Sequence, residues 1–209
     1  YLLLGINIIR RSGRRYREAV ESYGERGNAY MPHLLPEWET EVQSMPGLVN
    51  SLKTLSRLAL VGGNAVRPLH NGDEAMPAML EAIESAQHSI SLISYIFESK
   101  GIGARFVDAL DRAAQRGVEV CVMVDDAGTR YDWPPITTVL RKRGVQAHRF
   151  MPPSLLNRLI TMNLRNHRKL LIIDGKTGFT GGMNIRQGNM LNESPTHPVA
   201  DLHFLVEGP

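Results

Sequence analysis

From residue 65 onward, short apolar runs alternate with segments of helical periodicity. The runs rich in β-branched and aromatic residues are predicted strands, at 65–69, 89–97, 118–124 and 145–150. Segments whose apolar residues recur three and four positions apart are predicted helices, one beginning at Asp73 and the others at 102–114 and 135–143. This β-α-β-α-β order predicts an α/β domain with helices packed on a sheet.

Capping and turn residues mark the ends of these elements. Asp73 is expected to cap the first helix, whose apolar face consists of Met76, Met79, Leu80 and Ile83. Gly117 is expected to end the second helix. Asp125 and Asp126 stand at the end of a predicted strand, where a cation site is conceivable but a turn or helix cap is favoured.

The N-terminal segment has a different pattern. Nine mostly apolar residues, too few for the roughly 20 that cross a bilayer, are followed directly by Arg10, Arg11, Arg14, Arg15 and Arg17. We therefore expect residues 1–18 to be the end of a transmembrane helix and its basic juxtamembrane segment. A signal-peptide remnant or an amphipathic helix is the alternative.

Glycine and proline define the remaining organisation. Residues 19–60 contain several of them among polar residues and are predicted to form a linker with short helices. Residues 61–209 then form one lobe. With 209 residues, 43% hydrophobic and 22% charged, the chain is globular rather than disordered or fibrous. The single cysteine, Cys121, excludes an internal disulfide.

Charge becomes informative only through its distribution. The net charge of +3 does not by itself indicate a nucleic-acid-binding protein. However, no Asp or Glu occurs between Trp133 and Ile173. This stretch could be a solvated basic face or a surface that attracts phosphate. Its basic residues are Arg141, Lys142, Arg143, Arg149, Arg158, Arg165, Arg168 and Lys169.

The candidate chemistry lies at the end of the basic stretch. His167 begins a predicted strand that runs to Ile173. Because residues i and i+2 of a strand share a face, the side chains of His167 and Lys169 are expected to project together. An imidazole beside an ammonium suits an anion that lysine holds and histidine attacks, and the phosphorus of a phosphodiester is such a target.

Four further residues follow this pair at short spacing. Asp174 stands where the strand should end and is expected to fix local structure rather than to touch the phosphate. Gly181 and Gly182 allow a tight turn or close backbone approach. The side-chain amide of Asn184 would then lie where it could donate to a phosphate oxygen.

The pattern His-x-Lys-x4-Asp, followed by x6-Gly-Gly-x-Asn, resembles the signature of the phospholipase D superfamily. The segment from Asp201 to Pro209 and the N-terminal stub with its arginines are similar to bacterial cardiolipin synthases. The chain most resembles the N-terminal half of such an enzyme. The fold implied is α/β, a phospholipase D-like α-β-α sandwich lobe with an N-terminal membrane-proximal segment.

The resemblance also implies site residues and a mechanism. His167 would be the nucleophile or the general acid of a two-step displacement through a phosphatidyl-histidine. Lys169 and Asn184, with Gly181 and Gly182, would bind the phosphate. Asp174 and Asp201 would complete the catalytic set, since Asp201 matches the carboxylate that orients the histidine in this family. No metal or other cofactor is expected.

The implied activity is the condensation of two phosphatidylglycerols to cardiolipin and glycerol, at the cytoplasmic membrane with the lobe in the cytoplasm. The alternatives are a phospholipase D-like phosphodiesterase or nuclease acting as a homodimer, and a lipid-binding module without catalysis. Nucleic acid is the less favoured substrate. Because the family uses two motifs and this sequence has one, a second motif-bearing lobe is expected, in cis or in a homodimer. An isolated monomer should be incomplete.

Overall fold

The computed structural model describes residues 63–151 and 165–208, together with Gly47 and Ser51, which are helical. The chain divides into two compact units, Tyr1–Asn64 and Ala65–Pro209. The predicted segment 1–18 and nearly all of the predicted linker 19–60 lie outside the described residues. Among the residues that are described, no helix has the length and apolar character needed to cross a bilayer.

The described part of the second unit contains seven strands and three α-helices. The strands are β1 (Ala65–His70), β2 (Ser89–Ser94), β3 (Glu119–Asp125), β4 (Gln146–Phe150), β5 (Leu170–Ile173), β6 (Thr177–Gly181) and β7 (Leu202–Glu207). The α-helices are α1 (Asn71–Ser85), α2 (Ile102–Gln115) and α3 (Ile136–Lys142). Short 3-10 helices cover Gly128–Tyr131, Gln187–Asn189 and Leu191–Glu193.

All seven strands form one mixed sheet in the order β1-β7-β6-β5-β2-β3-β4. Strands β2, β3 and β4 are parallel, whereas β5, β6, β7 and β1 each run antiparallel to the preceding neighbour in the sheet. Consequently one edge collects the ends of several strands. We call it the C-terminal edge, and it carries Ser94, Asp125, Leu170, Gly181 and Leu202.

The core lies between the sheet and the helices. Helix α2 contacts both α1 and α3, which places the three helices on one face of the sheet. Fully buried side chains from both layers meet there, among them Ile83, Leu92, Phe106, Leu110, Val122, Leu171 and Phe179. On the opposite face Ile172 is 36% exposed. The predicted α/β domain with helices packed on a sheet is confirmed.

Two predicted strands are shorter than expected. β2 ends at Ser94, because the Ser94 hydroxyl donates to the Ile96 carbonyl and turns the chain. β5 begins at Leu170, so the prediction that His167 starts this strand is wrong. The backbone amide of Asn166 donates to the side chain of Asp125 rather than to a neighbouring strand.

The predicted cap of the first helix is also wrong. His70 occupies the N-cap position, and Asp73 lies within the first turn of α1. The carboxylate of Asp73 instead accepts hydrogen bonds from the backbone amides of Leu191 and Asn192, at 3.0 and 3.1 Å. The carboxylate of Asp73 therefore makes a long-range contact instead of the local cap that was predicted.

Candidate active site

His167 and Lys169 meet at the C-terminal edge, directly before β5. The Nζ atom of Lys169 lies 2.9 Å from Nδ1 of His167 and donates to the His167 carbonyl at 2.8 Å. The sequence prediction that the two side chains project together is confirmed, although a loop and not a strand brings them together. Lys169 is only 5% exposed, whereas His167 faces solvent.

The charge of Lys169 is sensitive to this position. Burial lowers the pKa of Lys169, and the negative charge of Asp201 opposes that effect. Burial takes away the water that stabilises the ammonium, and a bound anion would stabilise the charge in place of that water. A buried cation with an open, solvent-facing imidazole beside it is an arrangement suited to a phosphate ester.

Tyr95 holds the pair from the end of β2, and the sequence reasoning missed it. Its ring centroid lies 4.8 Å from that of His167, in a tilted arrangement, and 5.6 Å from Nζ of Lys169. The second distance is within the range of a cation–π interaction. Gly128 packs against the Tyr95 backbone so closely that an added Cβ would lie 1.5 Å from the Tyr95 carbonyl oxygen.

Asp125 positions the segment that leads into His167. It is 1% exposed, and its carboxylate accepts hydrogen bonds from the amides of Ala127 at 2.9 Å and Asn166 at 2.8 Å. A guanidinium nitrogen of Arg165 lies 3.5 Å from the same carboxylate. The favoured turn interpretation of Asp125 is therefore confirmed. Within 63–151 and 165–208, no group of three or more His, Cys, Asp or Glu could hold a metal ion.

Asp174 lies at the other end of β5, away from His167. Its carboxylate accepts hydrogen bonds from the backbone amides of Gln87, His88 and Ser89, at 2.9, 2.8 and 2.7 Å. Burial opposes ionisation of Asp174, but these three bonds outweigh it and hold its pKa below the usual range. This geometry is the structural role that the sequence suggested for the motif aspartate.

Gly181 and Gly182 make the close backbone approach that the sequence predicts. A Cβ on Gly181 would lie 2.5 Å from the Leu202 carbonyl oxygen, and one on Gly182 would lie 2.2 Å from Oδ1 of Asp201. The start of β7 therefore packs directly on the glycine pair. This packing brings Asp201 to the C-terminal edge, where its charge reaches Lys169.

The orientation of the Asn184 amide is fixed by its backbone partner. The amide of Ile96 donates to Oδ1 of Asn184 at 3.0 Å. Because a backbone N–H can only donate, the side-chain oxygen must face Ile96 and the NH2 group must point away from it. Its two N–H donors have no hydrogen-bond partner among the described residues.

Asp201 makes no hydrogen bond or ion pair with His167 in this arrangement. In the described ranges, its carboxylate accepts a hydrogen bond from its neighbour Leu202 at 2.7 Å. Nδ1 of His167 faces Lys169 instead. A protonated lysine can only donate, so this contact places the proton of a neutral imidazole on Nε2. Attack by Nε2 would require the other tautomer.

The basic stretch between Trp133 and Ile173 is divided between the two edges of the sheet. Arg143 follows α3 at the opposite edge and pairs with Asp108 and Asp111, at 3.2 and 2.9 Å. Arg149 lies 3.5 Å from Asp126. The prediction that all eight basic residues form a single phosphate-attracting surface is therefore wrong, because Arg143 does not belong to it. Arg158 lies outside the described residues.

Comparison with known proteins gives a consistent family. Residues 79–194 match a family model described as cardiolipin synthase, PLD-like domain. The chain is 38% identical to cardiolipin synthase 1 of Bacillus anthracis over 141 residues, 67% of this chain and 28% of that protein. It is 34% identical to cardiolipin synthase A of Pseudomonas aeruginosa over 170 residues, 81% of this chain and 34% of that protein. The chain thus spans about a third of the length of these relatives.

Solved structures support the fold. The phospholipase D family member Nuc from Salmonella typhimurium gives a TM-score of 0.54 at 20% identity, over 69% of this chain and 84% of that one. Phosphatidylserine synthase from Haemophilus influenzae gives 0.52 at 15% identity, over 68% and 33%. The phospholipase D-like fold that the motif implied is confirmed. The chain belongs to the cardiolipin synthase family of phospholipase D-like domains.

Proposed function

We propose that this chain is one motif-bearing lobe of a phosphatidyltransferase that condenses two phosphatidylglycerols to cardiolipin and glycerol. The observation that carries the proposal is the buried Lys169 ammonium 2.9 Å from the imidazole of solvent-facing His167. The family membership supports lipid as the substrate. The donor phosphodiester would bind at the C-terminal edge, over His167.

The phosphate is held by donors that approach from two elements. The ammonium of Lys169 and the side-chain NH2 of Asn184 bind the non-bridging oxygens. Lys169 is buried beside Tyr95, and the side chain of Asn184 is oriented by its bond to Ile96. The Asn184 donors, held in this way, stabilise the charge that develops on the phosphoryl oxygens without reorganising. Because Gly181 and Gly182 have no side chains, the start of β7 packs directly against their backbone.

Substrate binding would also activate the histidine. As Lys169 turns toward the phosphate, Nδ1 of His167 loses its donor and can carry the proton. Asp201 then accepts the hydrogen bond from Nδ1–H, which leaves the Nε2 lone pair free to attack. In this scheme a single movement of the Lys169 side chain binds the phosphate and frees Nδ1 of His167.

The transfer proceeds in two displacements. Nε2 of His167 forms a bond to phosphorus, and the phosphorus–oxygen bond to glycerol breaks as the leaving oxygen receives a proton. The donor of that proton is a histidine of the second motif-bearing lobe, in cis or in another copy. A hydroxyl of a second phosphatidylglycerol then attacks phosphorus, gives its proton to that histidine and displaces His167. Atoms and charges balance, and every group is an ordinary acid, base or nucleophile.

This activity places the lobe against a membrane containing anionic phospholipid, on its cytoplasmic side. The partners are the lipid substrate and the second lobe, while nucleic acid is the less favoured substrate. The segment 1–18 would provide the anchor. These assignments rest on the family and on the sequence of the N-terminal segment.

The test is to follow cardiolipin formation from phosphatidylglycerol by mass spectrometry, using the natural full-length protein in membranes. His167→Ala should abolish formation of both cardiolipin and the phosphatidyl-histidine intermediate, detected as a modified peptide. His88→Ala is the matched control, because His88 is exposed at the opposite edge of the sheet. Phosphatidic acid as the sole product would favour the phosphodiesterase alternative. Cleavage of DNA without lipid transfer would contradict the proposal.

A further inference from the structure

Two large aromatic side chains are exposed on the loop after β3. Tyr131 is 69% exposed and Trp133 is 84% exposed. Most other large apolar side chains in the described part of the lobe are buried in the core. Tryptophan and tyrosine pair an apolar ring with one polar atom, so they favour sites that are apolar at one end and wet at the other. Their exposure two positions apart on one loop indicates a surface that contacts something besides water.

This loop is fixed to the active site rather than free. Within it, the backbone of Gly128 packs on the carbonyl of Tyr95, the residue whose ring lies against that of His167. It is fastened again at Asp132, whose carboxylate accepts hydrogen bonds from the backbone amide of Ser99 at 2.7 Å and from its hydroxyl. The loops after β2 and β3 therefore form one unit at the C-terminal edge, beside His167.

On these two loops the basic side chains are more exposed to solvent than the acidic ones. The side chains of Lys100 and Arg130 are 82% and 63% exposed. The acidic side chains are mostly covered, with Asp132 at 13% and Glu98 at 27%. Both acids also accept hydrogen bonds from backbone amides. Lys100 pairs with Asp132 at 3.9 Å and Arg130 pairs with Asp126 at 3.2 Å, but in both pairs the cation is the more exposed partner and lies on the same two loops as the aromatic rings.

We propose that Tyr131, Trp133, Lys100 and Arg130 form a docking surface for an anionic phospholipid bilayer. The indole and phenol rings enter the head-group region, and the two cations contact lipid phosphates. This proposal rests on the proposed function and deepens it, because docking at this edge brings His167 to the depth of the phosphodiester it attacks. An anchor at residues 1–18 would hold the protein near the membrane, whereas this surface would orient the site toward it.

The experiment uses the fluorescence of Trp133 in the 209-residue chain. The chain has two tryptophans, so Trp38→Phe leaves Trp133 as the single reporter. Mixing with phosphatidylglycerol vesicles should shift its emission to the blue, and lipids brominated near the glycerol backbone should quench it. Vesicles of phosphatidylcholine alone should give a much smaller effect. Emission that stays at the value for water while the chain sediments with vesicles would overturn the proposal.

Variants test the energetic contribution of the surface by vesicle sedimentation. Tyr131→Ala combined with Trp133→Ala should weaken binding at least about tenfold, and Lys100→Ala should weaken it about fivefold. Val66→Ala is the control, because Val66 is 62% exposed near the start of β1, at the opposite edge. Equal binding by the aromatic variant and the control would refute the surface.

Two further outcomes separate this proposal from its alternatives. A blue shift that appears without lipid and grows with protein concentration would place Trp133 at a contact between copies and overturn lipid docking. Because the readout is binding and not turnover, docking can succeed in a protein that forms no cardiolipin. In that case the proposed transferase fails and the docking surface stands.

Discussion

Acidification from pH 7 to pH 5 should destabilise the lobe through one buried imidazole. His203 is 1% exposed on β7, and its Nδ1 has no hydrogen-bond partner in the described part of the chain. Burial lowers the pKa of His203 from 6.5 to about 4, and the nearby negative charge of Asp201 only partly opposes this effect. The backbone of Gly181 lies against the ring, where an added Cβ would be 2.7 Å from Nδ1 of His203.

Stability falls with acidification because the unfolded state binds the proton at a higher pH than the folded state does. As pH falls below about 6.5, His203 becomes protonated in the unfolded chain. In the folded lobe it stays neutral until the pH reaches about 4. Stability is thus complete above that window and declines through it. A difference of 2.5 pH units corresponds to about 3 kcal/mol, of which about 2 kcal/mol is lost between pH 7 and pH 5.

Urea unfolding followed by circular dichroism at both pH values measures this loss. With a slope of about 2 kcal/mol/M, the contribution of His203 equals a midpoint shift of about 1 M. His203→Gln keeps a polar side chain of similar size but cannot titrate, so that part of the shift should disappear in the variant. If the variant's midpoint moves between pH 7 and pH 5 as far as the wild type's does, the assignment to His203 is refuted.

Three other substitutions test contacts of the motif residues and of Tyr95. Asp174→Ala orphans three backbone amides and should lower stability by about 2–4 kcal/mol in thermal unfolding, with remaining activity following the folded fraction; an unchanged Tm would contradict its anchoring role. Gly182→Ala must displace the carboxylate of Asp201 and should lose about 1–3 kcal/mol, whereas a Cβ at Gly178 meets nothing closer than 3.8 Å and should cost less. Tyr95→Leu should lower kcat for lipid transfer about tenfold and Tyr95→Phe should preserve it, since the ring and not the hydroxyl packs on the site; equal losses would exclude ring packing.

Local patterns predicted the parts of the fold that depend on neighbouring residues. Helix α2 spans Ile102–Gln115, where helical spacing indicated 102–114. Strand β4 at Gln146–Phe150 also lies where the apolar run indicated it. The pairing of His167 with Lys169 is equally local, because they lie two positions apart whether the backbone is a strand or a loop.

Contacts between distant parts of the chain could not be read from the sequence. Asp125 bonds to an amide 41 residues further on, and no spacing rule connects the two positions. Tyr95 reaches His167 only because β5 lies antiparallel beside β2. Strand β6 was missed for another reason: its glycines at 178 and 181 look like turn residues, although β6 is an interior strand of the sheet.

The three acidic residues associated with the motif show why residue type and spacing do not define a role. Asp174 belongs to the motif yet fastens β5 to the start of β2, far from the imidazole. Asp125 stands outside the motif yet fixes the backbone directly before His167. In each case the function depends on which strand ends share an edge, and sheet order determines that.

Asp201 is the member of this set whose role depends on movement. Its charge acts on Lys169 and on His203, while Nδ1 of His167 faces the ammonium. An ammonium cannot accept a proton from an imidazole, so His167 in this contact is unsuited to attack through Nε2. We infer that phosphate is what removes Lys169 from Nδ1, which couples activation of the nucleophile to occupancy of the site.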